Sequence, residues 1–473
     1  MSDVERLAAA CLLPSFPGST VPTWVRRWLE RGLGGITLFA DNGRDPDDFA
    51  ALTAALRAEA PGLLFAIDEE GGDVTRLEAA RGSSYPGNLA LGVVDDLELT
   101  EAVAGALAAD LARAGVDLNL APVADVNTNP DNPVIGVRSF GSDPGLVARH
   151  VAAFVRGTQR QGVGACAKHF PGHGDTSLDS HRTLPVVKGD VEQALVPFRA
   201  AVAAGVRAIM TGHLVVPAFG EEPATVSRPL VTGLLRSELG FGGLVVSDAL
   251  EMGALAGGVG VAEGAVRALA AGVDALCLGH DLHEEAVAAV HAALVGAVES
   301  GYLPLDRLAE AVARVRETAR WAPAAAHEEA AARDVGLEAA GRALRVHGRP
   351  RVGAPPLVVE LVPEANVAAG EARHGLASVW PGALELRLRA PGDDLRGRLD
   401  ALGSRPLVLV VRDAARHTWQ RALAQELVTL RPELVAVEVG LPGWRPPAGV
   451  PLVESHGAGR ANLDAVRELL ARG

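Results

Sequence analysis

Between about residues 30 and 280 one unit keeps returning: a short apolar run that closes on a polar residue or glycine, then an Ala/Leu/Arg-rich stretch apolar at helical spacing. The runs are "GGITLFA" (34–40), "GLLFAID" (62–68), "VDLNLAPVADV" (116–126), "GVGACAKHF" (162–170), "VRAIMTGHL" (206–214), "GGLVVSDAL" (242–250) and "GVDALCLGH" (272–280). Strands buried on both faces read as continuous apolar runs, and alternation with helices implies a parallel sheet. Seven or eight such units fit a (β/α)8 TIM-type barrel of roughly 250 residues. A doubly wound open sheet is the competing α/β fold.

Polar residues gather where the runs end: Asp68 with Glu69 and Glu70, Asp125 and Asn127, Lys168 and His169, His213, and Asp248. Barrels build their sites at that rim. An open sheet would concentrate them at one crevice beside a glycine-rich phosphate turn. Neither G-x-G-x-x-G nor G-x-x-x-x-G-K-[ST] occurs.

The barrel is expected over residues 1–322, closed by an amphipathic helix within 303–321. A low-complexity connector, "APAAAHEEAAARD", opens a linker at 323–349, and the alternation restarts with "LVVELV", "LELRLR", "PLVLVV" and "LVAVEVG". Residues 350–473 are therefore expected to form a second, smaller α/β domain, with no comparable reactive cluster. The net charge of −14, without a long Lys or Arg run, argues against nucleic acid or an anionic membrane as partner. Cys11, Cys166 and Cys277 sit in apolar contexts and read as core residues of a reducing compartment. With no signal-peptide pattern at the N-terminus and no apolar run of membrane-spanning length, a soluble cytoplasmic protein is expected.

The densest chemistry lies in "KHFPGHGDTSLDSH" (168–181), which holds three of the thirteen histidines. Its residues would serve a metal (His169, His173, Asp175, His181), a hydrogen-bonded structural loop, or general acid/base work. Metal signatures usually anchor ligands on one helix face or in tight knuckles, whereas Pro171, Gly172 and Gly174 make a loop here. "DSH" sets a carboxylate two residues from an imidazole, a spacing that lets Asp179 orient His181 and raise its basicity. Asp248 in "VVSDALEMGAL" ends a β-branched run; it reads either as a helix N-cap or as a nucleophile at the rim. Asp68 in "AIDEEGGDVTRL" ends an apolar run at the rim, where a carboxylate can accept hydrogen bonds from a hydroxylated ligand, although three consecutive acids are usually a solvated patch. Arg138 in "NPVIGVRSFGSDP" lies between turn signals, where an arginine is more often on the surface.

Together these stretches resemble the glycoside hydrolase family 3 β-N-acetylglucosaminidases, the group that includes the bacterial peptidoglycan-recycling enzyme. The resemblance covers about residues 5–320. "KHFPGHGDTSLDSH" is its most specific part, and "GGITLFADN", "DEEGG", "APVADVNTNPDNPVIGVRSFGSDP" and "SDALEM" follow in the family's order and spacing. The resemblance implies a retaining mechanism without a metal or other cofactor, acting on a small carbohydrate substrate. It makes Asp248 the nucleophile, His181 the acid/base and Asp179 its dyad partner. It makes Asp68, Arg76, Arg138, Lys168 and His169 the residues that hold the N-acetylglucosamine hydroxyls. "DEEGGDVTRL" departs from the commoner D-Q-E-G-G-R-V form, so Glu69 and Asp73 are expected to add negative charge near the sugar.

The leading expectation is an exo-β-N-acetylglucosaminidase acting on muropeptide or chitin-type oligosaccharides. A phosphorylase is the alternative, because a histidine acid/base carries no fixed negative charge to repel phosphate. A non-catalytic sugar-binding protein is the alternative of another class.

Overall fold

The computed structural model describes residues 1–280, 283–321, 334–364, 374–389, 395, 397, 399 and 402–472. All seven apolar runs contain strands: β2 (Gly35–Leu38), β3 (Leu64–Ile67), β4 (Leu118–Asn119), β5 (Gly164–Phe170), β6 (Ala208–Thr211), β7 (Leu244–Ser247) and β8 (Leu276–Cys277). They are preceded by β1 (Leu12–Leu13), too short to stand out in its N-terminal segment. β2 to β7 form one parallel sheet in sequential order, and β1 pairs in parallel with β8.

This sheet curls, consistent with a TIM-like domain. At one edge Thr37 N donates to Pro14 O at 2.9 Å, linking β2 to the end of β1. At the other, Ser247 N donates to Ala275 O at 2.9 Å, and a parallel bridge joins Val246 to Ala275.

Side chains of each strand alternate between two apolar layers. In β3, Phe65 and Ile67 pack toward the helices, whereas Leu64 and Ala66 join an inner cluster with Leu13, Leu118, Cys166, Ala208, Val246 and Cys277. The expected closing helix forms over Leu305–Arg320 and sets Val315 against that inner cluster.

A second sheet follows: β9 (Arg345–His347), β10 (Leu357–Leu361), β11 (Leu384–Leu388), β12 (Leu407–Val411), β13 (Val435–Glu438) and β14 (Leu452–Glu454). Its order is β11-β10-β12-β13-β14-β9, all parallel except β9 against β14. Alternate residues of β12 again serve two layers, Leu407, Leu409 and Val411 on one face and Val408 and Val410 on the other.

The expected linker needs correction at its end. Residues Asp334–Ala343 are helical, and β9 belongs to the second sheet although every one of its residues is exposed. A charged three-residue edge strand has no apolar pattern to announce it. The "APAAAHEEAAARD" connector lies, up to residue 333, outside the described residues.

Candidate functional site

The polar residues that close the strands meet at the C-terminal rim of the curled sheet. Lys168, on β5, is 2% exposed and ion-pairs with Asp68 at 2.6 Å and Glu70 at 2.7 Å. Glu70 also receives Arg138 through two bonds, from Nε at 3.0 Å and Nη2 at 2.8 Å. Arg138 Nη2 lies 3.5 Å from His169 Nε2, and His169 Nδ1 lies 2.7 Å from Asp125 Oδ2. A continuous chain therefore runs from the partly exposed Asp68 through the buried Lys168, Glu70, Arg138 and His169 to Asp125.

Within this chain Glu70, Lys168 and Arg138 hold one another in their ionised forms. Burial alone would push Glu70 up, but Arg138 and Lys168 hold its carboxyl far below the usual range. Burial would likewise pull Lys168 down, and Asp68 and Glu70 reverse that. Breaking one member of such a set strands an uncompensated buried charge, at a cost of about 3–5 kcal/mol.

Two sequence expectations change here. Arg138 is not a surface residue: the short 3-10 turn Gly136–Arg138 folds it inward to 6% exposure. Nor are the consecutive acids a solvated patch, since Glu69 and Glu70 are each 3% exposed. Glu69 turns away from the rim, and its Oε2 accepts the backbone N–H groups of Arg76 at 2.7 Å and Leu77 at 3.0 Å. Burial pushes its pKa up to about 7. Asp73 is instead bound to Arg412, from beyond β12, at 2.5 Å. Of the two acids expected to add negative charge, Glu69 is therefore held by main-chain amides and Asp73 is paired with an arginine. Arg76 remains near the rim, its guanidinium 5.9 Å from the Phe39 ring centre.

The histidines of the 168–181 stretch do not share one centre, although the His169 and His173 rings meet edge to face with 6.1 Å between their centres. His169 turns to Asp125. His173 is buried between Ser180 Oγ at 3.0 Å and Thr176 Oγ1 at 2.6 Å, and burial lowers its pKa. Asp175 accepts from Lys188 N at 2.8 Å and also from Gly189 N. Among the described residues no group of three His, Cys, Asp or Glu side chains is placed to hold a metal ion.

His181 pairs with Asp179 instead, Nδ1 to Oδ1 at 2.7 Å, and that carboxylate also accepts the His181 backbone N–H at 2.9 Å. Burial would raise the Asp179 pKa, but its bonds to His181 keep it below the ordinary value. This fixes the imidazole by Nδ1 and leaves Nε2 to exchange a proton.

Asp248 follows β7 and is only partly buried. It does not cap a helix, since the next one is the short Gly253–Ala256 turn, entered from Met252. Its Oδ1 accepts the Ala249 N–H at 2.9 Å. Burial would raise its pKa, but His169, His213 and His181 together bring it below the usual value, so it stays ionised.

His213 was visible as a rim residue without a role. Its Nδ1 meets Thr225 Oγ1 at 2.8 Å and its Nε2 meets Ala249 O at 2.9 Å, bracing the residue after Asp248. The Asp179–His181 loop is fastened to the same region: Gly253 N donates to His181 O at 3.0 Å and Ala254 N to Ser180 O at 3.2 Å. Glu70, Asp125 and Gly253 were not among the predicted site residues. Glu70 and Asp125 were visible only as residues at the rim, like His213; Glu70 is the shared counter-charge of Lys168 and Arg138, and Asp125 that of the His169 ring.

The glycosyl hydrolase family 3 N terminal domain profile matches residues 21–318. Beta-hexosaminidase A of Pseudoalteromonas piscicida is 35% identical over 329 residues, 63% of this chain and 55% of its own length, so the chain spans little more than half of that relative. Beta-hexosaminidase of Stenotrophomonas maltophilia (strain K279a) is 36% identical over 319 residues, 63% of this chain and 93% of its own length. The solved structure of a glycoside hydrolase family 3 beta-N-acetylglucosaminidase from Paenibacillus sp. str. FPU-7 superposes with a TM-score of 0.86 at 31% identity, covering 100% of this chain and 97% of that one.

Proposed function

Because the chain belongs to glycosyl hydrolase family 3, we propose that it is a retaining exo-β-N-acetylglucosaminidase, built on a closed (β/α)8 barrel and releasing terminal β-linked GlcNAc from muropeptide or chitin-type oligosaccharides. One observation carries the reading. An ionised carboxylate, Asp248, lies at a strand end beneath a loop that carries a carboxylate-oriented imidazole, and two main-chain bonds tie that loop down beside it.

In the first step Asp248 attacks the anomeric carbon. The glycosidic C–O bond breaks, and the His181 imidazolium gives its proton to the leaving oxygen. In the second, neutral His181 takes a proton from water as the water oxygen displaces the Asp248 ester. The product keeps the β configuration, and both side chains return to their starting forms. Most retaining glycosidases use two carboxylates for this work; here an imidazole tuned by Asp179 replaces one of them. Asp68, Arg76, Arg138, Lys168 and His169 hold the sugar hydroxyls, and a charge set that pairs internally needs no reorganisation when they bind. The three buried, unpaired thiols are in keeping with action in the reducing cytoplasm, and no described helix is long and apolar enough to cross a membrane.

The test is turnover of p-nitrophenyl β-N-acetylglucosaminide against the β-glucoside, with and without phosphate, identifying the sugar released. Free GlcNAc at a phosphate-independent rate is expected. GlcNAc-1-phosphate, or preference for the glucoside, would overturn the reading.

A further inference from the structure

The Stenotrophomonas relative uses 93% of its own length to match 63% of this chain, so most of a barrel-sized protein is accounted for without the second sheet. What that sheet does here is therefore an open question, and its contacts with the rim answer it. We infer that the second sheet holds the sugar-binding floor in place through a positioning pair, Asp73 and Arg412; this rests on the sugar-binding reading above.

Asp73 stands at the tip of a tight turn running from Glu69 to Arg76. The turn is closed inside the barrel by Glu70 N to Val74 O at 3.0 Å and Gly72 N to Tyr85 O at 2.8 Å. At its tip, the Asp73 side chain is only 7% exposed, and both of its oxygens are taken by the second sheet. Oδ2 pairs with Arg412 Nη1 at 2.5 Å, and Oδ1 accepts the Ala458 N–H at 2.7 Å. These partners come from separate segments, one following β12 and the other following β14.

The approach is close enough to need glycine on the second sheet's side. A Cβ on Gly459 would sit 2.8 Å from Gly72 Cα. A small cavity of about 10 Å³ remains between the two sheets, lined by Glu70, Asp73 and Arg138 on one side and His456 and Gly457 on the other. The second sheet thus abuts the residues that carry the floor.

Electrostatics point the same way. A fourth acid in a segment that already holds Asp68, Glu69 and Glu70 is unfavourable without a counter-charge, and Arg412 supplies it from 339 residues away. Glu70, three residues before Asp73, is the carboxylate on which both Lys168 and Arg138 rest. Fixing the tip of the turn therefore fixes the common anchor of two cations that bind sugar. Sites lose affinity when their supporting contacts are loosened by fractions of an ångström.

The experiment compares wild type with Asp73→Asn, Arg412→Gln and the double variant, measuring kcat and KM on the aryl β-N-acetylglucosaminide and the inhibition constant of free GlcNAc. Each single change should raise KM and the inhibition constant about 10-fold while kcat moves about 2-fold or less. The double variant should be no worse than either single one, because both break the same contact. Arg412→Gln leaves the barrel's own sequence intact, and a melting curve of each variant confirms folding. Arg342→Ala, which breaks an ion pair to Asp96 of 2.8 Å elsewhere between the two units, should lower the melting temperature and leave the inhibition constant alone. Unchanged KM and inhibition constants in the folded pair variants would overturn the inference. An Arg342→Ala variant that weakens GlcNAc equally would also overturn it, reducing the contact to general docking. A wild type that neither hydrolyses the glycoside nor binds GlcNAc would instead defeat the underlying sugar reading.

Discussion

The two halves of the candidate site are built on opposite physical plans. The floor is a buried lattice of charges in which Lys168, Glu70, Arg138, His169 and Asp125 are each less than a tenth exposed. The Asp179–His181 pair, to which proton transfer is assigned in the proposed mechanism, sits on a turn-rich loop, with Asp179 16% and His181 24% exposed and Leu178 beside them 48% exposed. The loop is fastened by the Gly253 and Ala254 amides and by the His173–Ser180 contact. The difference matches two tasks. Holding a sugar rewards groups that do not move, because preorganised dipoles cost nothing at the moment of binding. A residue that first donates a proton and later accepts one must meet both the leaving group and the incoming water.

The comparison predicts damage of different kinds in the two regions. The largest effect belongs to the loop. His181→Gln should cut kcat/KM on oligosaccharide substrates by about 10²–10⁴-fold, and much less on p-nitrophenyl glycosides, whose leaving group needs no proton, while kcat falls on both because the second step loses its base. The GlcNAc inhibition constant should hold steady. A weaker copy of this pattern, about 10-fold, is expected from Gly253→Val, whose Cβ would lie 2.8 Å from Arg182 O and 3.0 Å from His181 O. A Gly253→Val variant that lost GlcNAc affinity instead of leaving-group dependence would blur the distinction between floor and loop.

A smaller effect is a stability change under the floor. Burial raises Glu69 to about 7 in the folded chain, above its unfolded value, so the folded state binds that proton more tightly. Its favourable contribution is complete below the unfolded pKa and is lost as pH rises through about 7. Glutamine at this position can still accept the Arg76 and Leu77 amides and cannot ionise. Glu69→Gln should therefore match wild type near pH 4 and exceed it by roughly 3 kcal/mol at pH 8, read from urea midpoints. An equal difference at both pH values would show that the ionisation of Glu69 is not what costs stability.

Much of this architecture was legible because the sheet is parallel and doubly covered. Seven strands announced themselves as apolar runs, while Leu12–Leu13 and Arg345–His347 did not, one being only two residues long and the other fully exposed. The second sheet's β10 to β13 were visible for the same reason as the barrel's strands. In the site, the stretch from Lys168 to His181 marked the candidate chemistry; His173 and His181 find side-chain partners within it, whereas His169 takes Asp125 from elsewhere in the chain. The burial of Glu69, Glu70 and Arg138 was not legible. An acid run and a loop arginine look solvated until the fold brings Lys168 and Arg138 to the same carboxylate. Asp73 is the extreme case, since its partner lies in another sheet.

The central claim is a covalent ester on Asp248, and trapping it is the most direct test. A 5-fluoro β-N-acetylglucosaminyl donor with an activated leaving group slows both steps but leaves the first one feasible, so the ester should accumulate. The account predicts a mass gain of one glycosyl unit on the intact protein, mapped to the peptide containing Asp248. The Asp248→Asn variant should show no such adduct and lose turnover by a factor on the order of 10⁴ or more. Continued turnover with no adduct, and α-GlcNAc as the first-formed product, would mean that water attacks the sugar directly, contradicting the role assigned to Asp248.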